Sequence, residues 1–265
     1  MSERLNNALE QKRASGRVGV IPYVTVGFPT LEDTFTIVPA LEKAGAMVIE
    51  LGVPYSDALG DGPTIQAASH RAIQNGMTTA KCIDAAKRLR QRGVAVPLLF
   101  MGYYNPVLNY GMERYVRDCA FAGIDGFIIP DLPVDESEPF KQAAQAEGLA
   151  LIPLLAPTST DERIAAGAAS ADGFIYCVSV AGVTGARTSL PELLPSFVSR
   201  VRANTKLPIA VGFGVTEYSH VEAIGKVADA AVVGSALINV IDSAPAGERA
   251  SRAGAFLASL VGNGV

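Results

Sequence analysis

Residues 31–52 read LEDTFTIVPALEKAGAMVIELG, and this stretch alone contains the signals of a helix, a turn and a strand. From Leu31 to Ala44, apolar residues recur at helical spacing among charged ones, which predicts an amphipathic helix. Gly45 follows, where the residue just past a helix often adopts the left-handed conformation. Met47–Leu51 is a short apolar run that predicts a strand. Helix and strand in alternation are the units of a parallel α/β fold.

The same unit recurs along the whole chain, and Gly93, Gly123 and Gly148 mark further helix ends. Strands are predicted at Val18–Val26, Met47–Leu51, Val96–Met101, Gly126–Ile129, Leu149–Leu155, Gly173–Val178, Pro208–Val211 and Ala230–Val233. Helices are predicted at Leu31–Ala44, Ala80–Arg92, Met112–Ala122, Asp135–Glu147, Asp161–Ala169, Leu190–Asn204, Glu217–Val227 and Glu248–Leu260. Three extra helices are an N-terminal one at Arg4–Ala14, a shorter one at Thr64–Asn75 and one opening at Gly234-Ser235. Eight strand-helix units predict an α/β fold, a single (β/α)8 TIM barrel over residues 1–265, because open doubly wound sheets usually have fewer strands.

The composition narrows the class of protein. The chain has 265 residues, 49% of them hydrophobic and 18% charged, with a formal net charge of -4. Nucleic acid or an anionic membrane would favour clustered Lys and Arg, so we expect no nucleic-acid or membrane partner, and a small molecule or a protein instead. No apolar run approaches the roughly 20 residues of a transmembrane helix, and the first residues lack the apolar core of a signal peptide. We therefore expect a cytoplasmic protein.

The cysteines and histidines give no sign of a metal site. Cys82, Cys119 and Cys177 are odd in number and share no metal-ligand spacing, so free thiols are expected. His70 and His220 stand alone on predicted helices, whereas a zinc site needs three or four donors.

Glu50 interrupts the apolar strand Met47–Leu51, which should be buried on both faces. An unpaired buried carboxylate costs several kcal/mol unless it is protonated or used. One interpretation is a structural Glu satisfied by a neighbouring base or by water. The functional interpretation is a carboxyl whose pKa is raised by desolvation, so that it exchanges a proton near neutral pH.

A long loop rich in turn formers follows this strand, from Gly52 to Pro63. Active sites of such barrels lie at the carboxyl ends of the strands and in the loops that follow them. Asp57 and Asp61 are ordinary turn residues, which is one interpretation of both. Opposite Glu50, however, a second carboxylate could accept a hydrogen bond from a substrate N–H.

Glycines cluster in the loops after the sixth, seventh and eighth predicted strands: Gly182 and Gly185, Gly212 and Gly214, and Gly234 before Ser235. Glycine lets backbone N–H groups approach phosphate oxygens closely, and a helix N-terminus favours an anion. Any one pair is more often a turn. Three pairs in these loops predict a site for a phosphorylated small molecule.

Six segments give the chain a resemblance to the tryptophan synthase alpha family over almost its whole length. They are Glu50–Asp57 (ELGVPYSD), Asp61–Gln66 (DGPTIQ), Tyr104–Pro106 (YNP), Asp131–Pro133 (DLP), Gly182–Gly185 (GVTG) and Gly212–Gly214 (GFG), in the family's order. The resemblance implies a lyase of tryptophan biosynthesis that cleaves indole-3-glycerol phosphate to indole and D-glyceraldehyde 3-phosphate by a retro-aldol reaction, with no metal or organic cofactor.

The resemblance also assigns roles to individual residues. It implies that Glu50 is the general acid/base, that Asp61 holds the indole N–H, and that Thr184 helps to position the loop of Asp61. Positions that match the phosphate cradle are Gly185, Gly214, Gly234 and Ser235, and those that match the indole pocket are Tyr23, Met101, Ile128, Tyr176 and Phe213.

A partner is implied as well. Members of the family usually pair with a pyridoxal-phosphate beta subunit in an α2β2 complex, and that cofactor belongs to the beta subunit. Matching contact positions are Pro54, Asp57, Asn105, Asp131 and Pro133. Two residues depart from the family pattern: Ala58 stands where proline is frequent, and Tyr23 stands where phenylalanine is also common. These departures affect loop stiffness and pocket polarity.

Two alternatives remain open at this point. One is a stand-alone lyase that releases free indole. The other is a barrel that binds a phosphate ligand and activates a partner without chemistry of its own, although the presence of both Glu50 and Asp61 disfavours it.

Overall fold

Nine short parallel strands and twelve α-helices are present in the computed structural model, which describes residues 2–178, 192–212 and 214–262. The strands are β1 Gly19–Thr25, β2 Ile49–Gly52, β3 Leu98–Met101, β4 Gly126–Ile128, β5 Ala150–Ile152, β6 Leu154–Leu155, β7 Ile175–Val178, β8 Ile209–Gly212 and β9 Ala230–Val233. The helices are α1 Glu3–Ser15, α2 Leu31–Lys43, α3 Pro63–Gln74, α4 Thr79–Gln91, α5 Tyr104–Tyr110, α6 Met112–Ala122, α7 Glu138–Ala146, α8 Asp161–Ser170, α9 Leu193–Arg202, α10 Tyr218–Gly225, α11 Ser235–Ser243 and α12 Arg249–Val261.

The strands form one sheet in the order β5-β4-β3-β2-β1-β9-β8-β7-β6. Pro153 separates β5 from β6, because proline has no N–H to donate to a ladder. Its carbonyl still accepts a hydrogen bond from Tyr176 N at 3.0 Å, and β6 pairs with β7. Together β5 and β6 act as one barrel strand that joins the two ends of the sheet. The predicted (β/α)8 barrel is confirmed, although the predicted strand Leu149–Leu155 is divided in two.

Side chains alternate between the two faces of each strand, as in any strand. On β2, Ile49 and Leu51 pack in the layer between strands and helices, whereas Val48, just before the strand, packs inside the barrel. Inside, Val48 joins Ile21, Leu99 and Phe174 in an apolar cluster.

Helix α1 closes the amino end of the barrel. Its Leu5 and Leu9 are buried in the interior cluster. The buried carboxylate of Asp125 ties this helix down, since Oδ1 accepts from Ser2 Oγ and, at 2.9 Å, from Arg4 Nε. Its Oδ2 accepts from Arg90 Nη2 at 2.6 Å and from Leu98 N at 2.8 Å. One carboxylate thus joins the N-terminal segment, α4 and β3.

The helix ends follow the sequence closely. The glycines predicted past four helices all have positive φ: 98° at Gly45, 87° at Gly93, 85° at Gly123 and 73° at Gly148. All three predicted extra helices are present, as α1, α3 and α11.

One predicted helix begins later than expected, and one helix was not predicted. The predicted helix Asp135–Glu147 is a short 3-10 turn, Val134–Glu136, followed by α7, because Pro139 fits only the first turn of a helix. Helix α5 was not predicted, and its first N–H, that of Tyr104, donates to Asp131 Oδ1 at 2.9 Å. Within the described part of the chain, no helix is both long and apolar enough to cross a membrane.

Candidate active site

Glu50 lies on β2 with its side chain directed into the barrel. The residue is completely buried, and among the described residues neither carboxyl oxygen has a hydrogen-bond partner. Burial raises the pKa of Glu50 to about 8. Desolvation acts in this direction because it disfavours the charged form. A carboxyl in this environment is mostly protonated at neutral pH and remains able to release its proton to a bound ligand.

Two tyrosines share the interior with Glu50. Tyr23 on β1 is in register with Glu50, and Tyr176 on β7 is also buried. Burial raises the pKa of both hydroxyls, and the charges of Glu50 and Asp61 raise them further. Both tyrosines are therefore neutral and able to donate hydrogen bonds throughout the physiological pH range.

Close contacts at two glycines fix the positions of these tyrosine hydroxyls. A Cβ at Gly52 would lie 2.0 Å from the hydroxyl of Tyr23, and one at Gly212 would lie 2.8 Å from the hydroxyl of Tyr176. Both glycines end their strands, so each lets a tyrosine ring lie over the carboxyl end of the strand next to its own. The rings thereby narrow the opening at the carboxyl ends of the strands, the barrel mouth, above Glu50.

The loop between β2 and α3 carries the second carboxylate. Burial raises the pKa of Asp61 to about 6, while a hydrogen bond from Tyr103 acts in the opposite direction. The hydroxyl of Tyr103 also accepts from Gly60 N at 2.9 Å. Gln66 Nε2 donates to the carbonyls of Ala58, at 3.2 Å, and Asp61, at 2.8 Å. Asp61 is thus held over the mouth by a side chain from the end of β3 and another from α3.

Tyr103 is a site residue that the sequence reasoning missed. It is buried, its ring centroid lies 5.4 Å from that of Tyr55, and its hydroxyl contacts both Gly60 and Asp61. Its position just after β3, at the catalytic end of a barrel strand, is the signal that could have identified it.

The predicted pocket residues Met101 and Ile128 end neighbouring strands and are partners in register. Together with Tyr176 they face the interior and give the mouth an apolar wall. Phe213, Thr184 and Gly185, which were predicted to complete the pocket and the cradle, lie outside the described residues.

The described parts of the predicted phosphate cradle lie side by side, because β8 and β9 are paired. Gly214 has φ of 48°, and a Cβ there would have no atom within 4 Å. Gly234 is the N-cap of α11, whose first residue is Ser235. A Cβ at Gly234 would meet Ile65 Cδ1 at 3.5 Å and Tyr23 Cβ at 3.8 Å, which are ordinary contact distances. The described part of the cradle therefore opens next to Tyr23 and the start of α3.

The predicted contact positions form one exposed rim. Asp57, Asn105, Asp131 and Pro133 are exposed, and Pro54 is partly exposed. Asn105 Nδ2 donates to Tyr55 Oη at 2.9 Å, which links this rim to the Tyr55–Tyr103 pair. Two apolar residues of the same loops were not predicted, Leu59 at 89% and Leu108 at 55% exposure. Leu59 and Leu108 are thus apolar side chains left open to solvent on the segments that carry the predicted contact positions.

Comparison with known proteins is consistent with this geometry. Residues 9–259 match the protein-family model described as tryptophan synthase alpha chain. A tryptophan synthase alpha chain of Roseiflexus sp. (strain RS-1) is 51% identical over 259 residues, which cover 98% of this chain and 99% of the relative.

Solved structures match over nearly the full length. A Mycobacterium tuberculosis tryptophan synthase superposes with a TM-score of 0.90 at 36% identity, covering 99% of this chain and 98% of that one. A tryptophan synthase complex from Pyrococcus furiosus gives a TM-score of 0.85 at 33% identity, covering 92% and 98%.

Proposed function

This chain belongs to the tryptophan synthase alpha chain family, and from that premise we propose how its residues perform the family's reaction. The reaction is the cleavage of indole-3-glycerol phosphate to indole and D-glyceraldehyde 3-phosphate. The observation that carries the proposal is a completely buried carboxyl without a hydrogen-bond partner, Glu50, whose pKa of about 8 makes it both a donor and an acceptor of protons near neutral pH.

Cleavage requires two proton movements. Indole C3 gains a proton, the glyceryl hydroxyl next to it loses one, and the electrons of the broken C–C bond return to the indole ring. Glu50 is protonated before the reaction, so it can supply the proton to C3 as general acid. In its carboxylate form it can then accept the hydroxyl proton as general base. The side chain regains its proton, and no net proton is consumed.

Asp61 stabilises the positive charge that develops on the indole ring. Its carboxylate would accept a hydrogen bond from the indole N–H, and its pKa of about 6 leaves it ionised at neutral pH. A negative charge placed where positive charge appears is the electrostatic part of catalysis. Tyr103 keeps this carboxylate in position through its hydrogen bonds to the Asp61 loop.

The phosphate group anchors the substrate at the barrel mouth, beside Tyr23. Gly234 and Ser235 at the start of α11 offer backbone N–H groups and the positive end of a nine-residue helix. Gly214, and Gly185 outside the described residues, would complete this cradle. Tyr23, Met101, Ile128 and Tyr176, with Phe213, would enclose the indole ring, and Thr184 would help to hold the loop of Asp61.

We further propose that the exposed rim of Pro54, Asp57, Asn105, Asp131 and Pro133 contacts a beta subunit in an α2β2 complex. The Pyrococcus furiosus structure, which is a tryptophan synthase complex, supports this. The exposed Leu59 and Leu108 would be buried in that contact. The pyridoxal phosphate would then lie in the beta subunit, and the alpha chain itself would use no cofactor and work in the cytoplasm.

Two other functions are separated by one assay, cleavage of indole-3-glycerol phosphate by the purified chain with and without a beta subunit. Slow turnover alone with strong acceleration by the beta subunit supports the proposal. Fast release of free indole from the chain alone would instead support a stand-alone lyase. No cleavage under either condition, with the substrate still bound, would support a non-catalytic binding barrel.

A further inference from the structure

A cavity of about 240 Å³ lies at the opposite end of the barrel from Glu50. Val18, Met47, Phe174 and Pro208 line it, and each of them stands just before a strand rather than after one. The residues proposed for cleavage all lie near the carboxyl ends of the strands. The cavity is therefore separate from the catalytic mouth.

The rim of this cavity is strongly cationic, although the whole chain has a net charge of -4. Among the described residues, five cationic side chains line it, namely Lys12, Arg13, Arg17, Arg202 and Lys206, against the single carboxylate of Asp229. They come from two segments that are distant in the chain, residues 12–17 at and just after the end of α1 and residues 202–206 at and just after the end of α9. The fold therefore gathers cations from both segments around one cavity.

The single carboxylate at the rim, Asp229, already has hydrogen-bond partners. Asp229 Oδ2 accepts from Arg202 Nη2 and, at 2.8 Å, from Ile209 N. In the part of the chain that the structure describes, the other four cations have no carboxylate within ion-pair distance. Burial, and then the nearby charge of Arg17, lower the pKa of Lys12. Unpaired like charges that repel one another around a cavity attract an anion.

The floor of the cavity is apolar. Met47, Phe174, Ala210 and Ala230 belong to the interior cluster of the barrel and also line the cavity. An apolar floor below a few charged groups is the usual construction of a site for a small organic ligand.

We propose that this cavity binds a small organic phosphate, with the dianionic head between Arg17 and Lys206 and the apolar body against Phe174. Such a ligand matches both the charge of the rim and the apolar floor. An inorganic anion would satisfy only the rim, so its affinity should be lower than that of a phosphate ester carrying a ring.

The test uses a local reporter, because the chain has no tryptophan. Pro208→Trp places an indole in the cavity wall, and phenyl phosphate is titrated against its fluorescence at low ionic strength. We expect saturable binding that is tighter than that of inorganic phosphate. Adding Arg17→Gln and Lys206→Gln should weaken it by about tenfold. The matched control pair Lys141→Gln and Arg163→Gln, which lies outside the cavity, should change it by less than about twofold.

Calorimetry without the reporter keeps the proposal testable if Pro208→Trp does not fold. Phenyl phosphate could also bind the catalytic mouth, so the titration is made in the Gly234→Asp protein, whose phosphate cradle is altered. Binding that persists there and is lost with Arg17→Gln and Lys206→Gln supports the site. Binding that is insensitive to those two substitutions, or equally sensitive to the control pair, would overturn it.

Discussion

Replacing Glu50 with Gln removes the proton-transferring group while nearly preserving its shape. Burial raises the pKa of Glu50 from 4.5 to about 8. At 1.36 kcal/mol per pKa unit, the ionised form costs on the order of 5 kcal/mol in the folded protein. At pH 7, about ten folded molecules therefore carry a protonated Glu50 for each one in which Glu50 is ionised. The amide resembles this dominant neutral form but cannot donate to C3 or accept from the hydroxyl.

For Glu50→Gln we expect cleavage to fall by roughly 10²–10⁴-fold or more, the usual contribution of a positioned general acid/base. Steady-state cleavage of indole-3-glycerol phosphate measures the loss, and calorimetry with a non-cleavable phosphate-bearing analogue should show nearly unchanged binding. The control is Glu222→Gln, on the exposed face of α10, which should cleave at the wild-type rate. Wild-type turnover by Glu50→Gln would refute the acid/base role.

The same variant also tests the burial of Glu50, through the pH dependence of the free energy of unfolding. Between pH 4.5 and about 8 the folded state keeps a proton on Glu50 that the unfolded state has released. The free energy of unfolding of the wild type should therefore fall as pH rises through this window. Glu50→Gln lacks this loss, so chemical denaturation at pH 5 and pH 9 should show the variant gaining stability relative to wild type at the higher pH. A difference that does not change with pH would mean that Glu50 is solvated.

Three further predictions concern other parts of the molecule. Asp61→Asn should lower cleavage severely, by about 10²-fold or more. In the wild type, kcat/KM should decline below about pH 6, because Asp61 is protonated there, and above about pH 8, because Glu50 ionises. A pH profile that lacks both declines would contradict both assignments. Gly234→Asp should weaken binding of the substrate analogue by about 1–3 kcal/mol through charge repulsion, and unchanged affinity in calorimetry would place the cradle elsewhere. Asp125→Ala leaves the mostly buried Arg90 unpaired and should lower the free energy of unfolding by about 3–5 kcal/mol in urea denaturation. The control Asp242→Ala breaks an exposed pair with Arg71 and should lower it by about 1 kcal/mol or less. Equal losses would show that the Asp125 network stabilises the fold no more than a surface ion pair does.

Local sequence signals were sufficient to predict most of the fold. Apolar runs and the glycines past the helices are short-range features, and a left-handed φ at Gly45 or Gly93 depends only on a few neighbouring residues. The errors arose where a distant residue or a proline decides the backbone. Helix α5 begins at a peptide N–H bonded to Asp131, which is 27 positions away in sequence, and Pro153 divides a strand that apolar content alone predicts as continuous.

The candidate site likewise contains some residues that could be predicted from local sequence and others that could not. Glu50 could be recognised from sequence because a carboxylate inside an apolar strand is anomalous wherever the strand lies. The hydrogen bonds of Tyr103 to the Asp61 loop, and the fit of the Tyr23 ring over Gly52, arise only when neighbouring strands are placed in register. The cationic cavity was not predicted, because its rim combines α1 with residues almost 200 positions later in the chain.

The most direct test of the central claim is the titration of the Glu50 carboxyl itself. In a protein labelled with ¹³C at the glutamate side-chain carboxyls, the Glu50 signal is assigned by its loss in Glu50→Gln. We predict a midpoint near pH 8, since burial without a hydrogen-bond partner disfavours the charged form. A midpoint near the ordinary value of 4.5 would contradict the proposed acid/base chemistry.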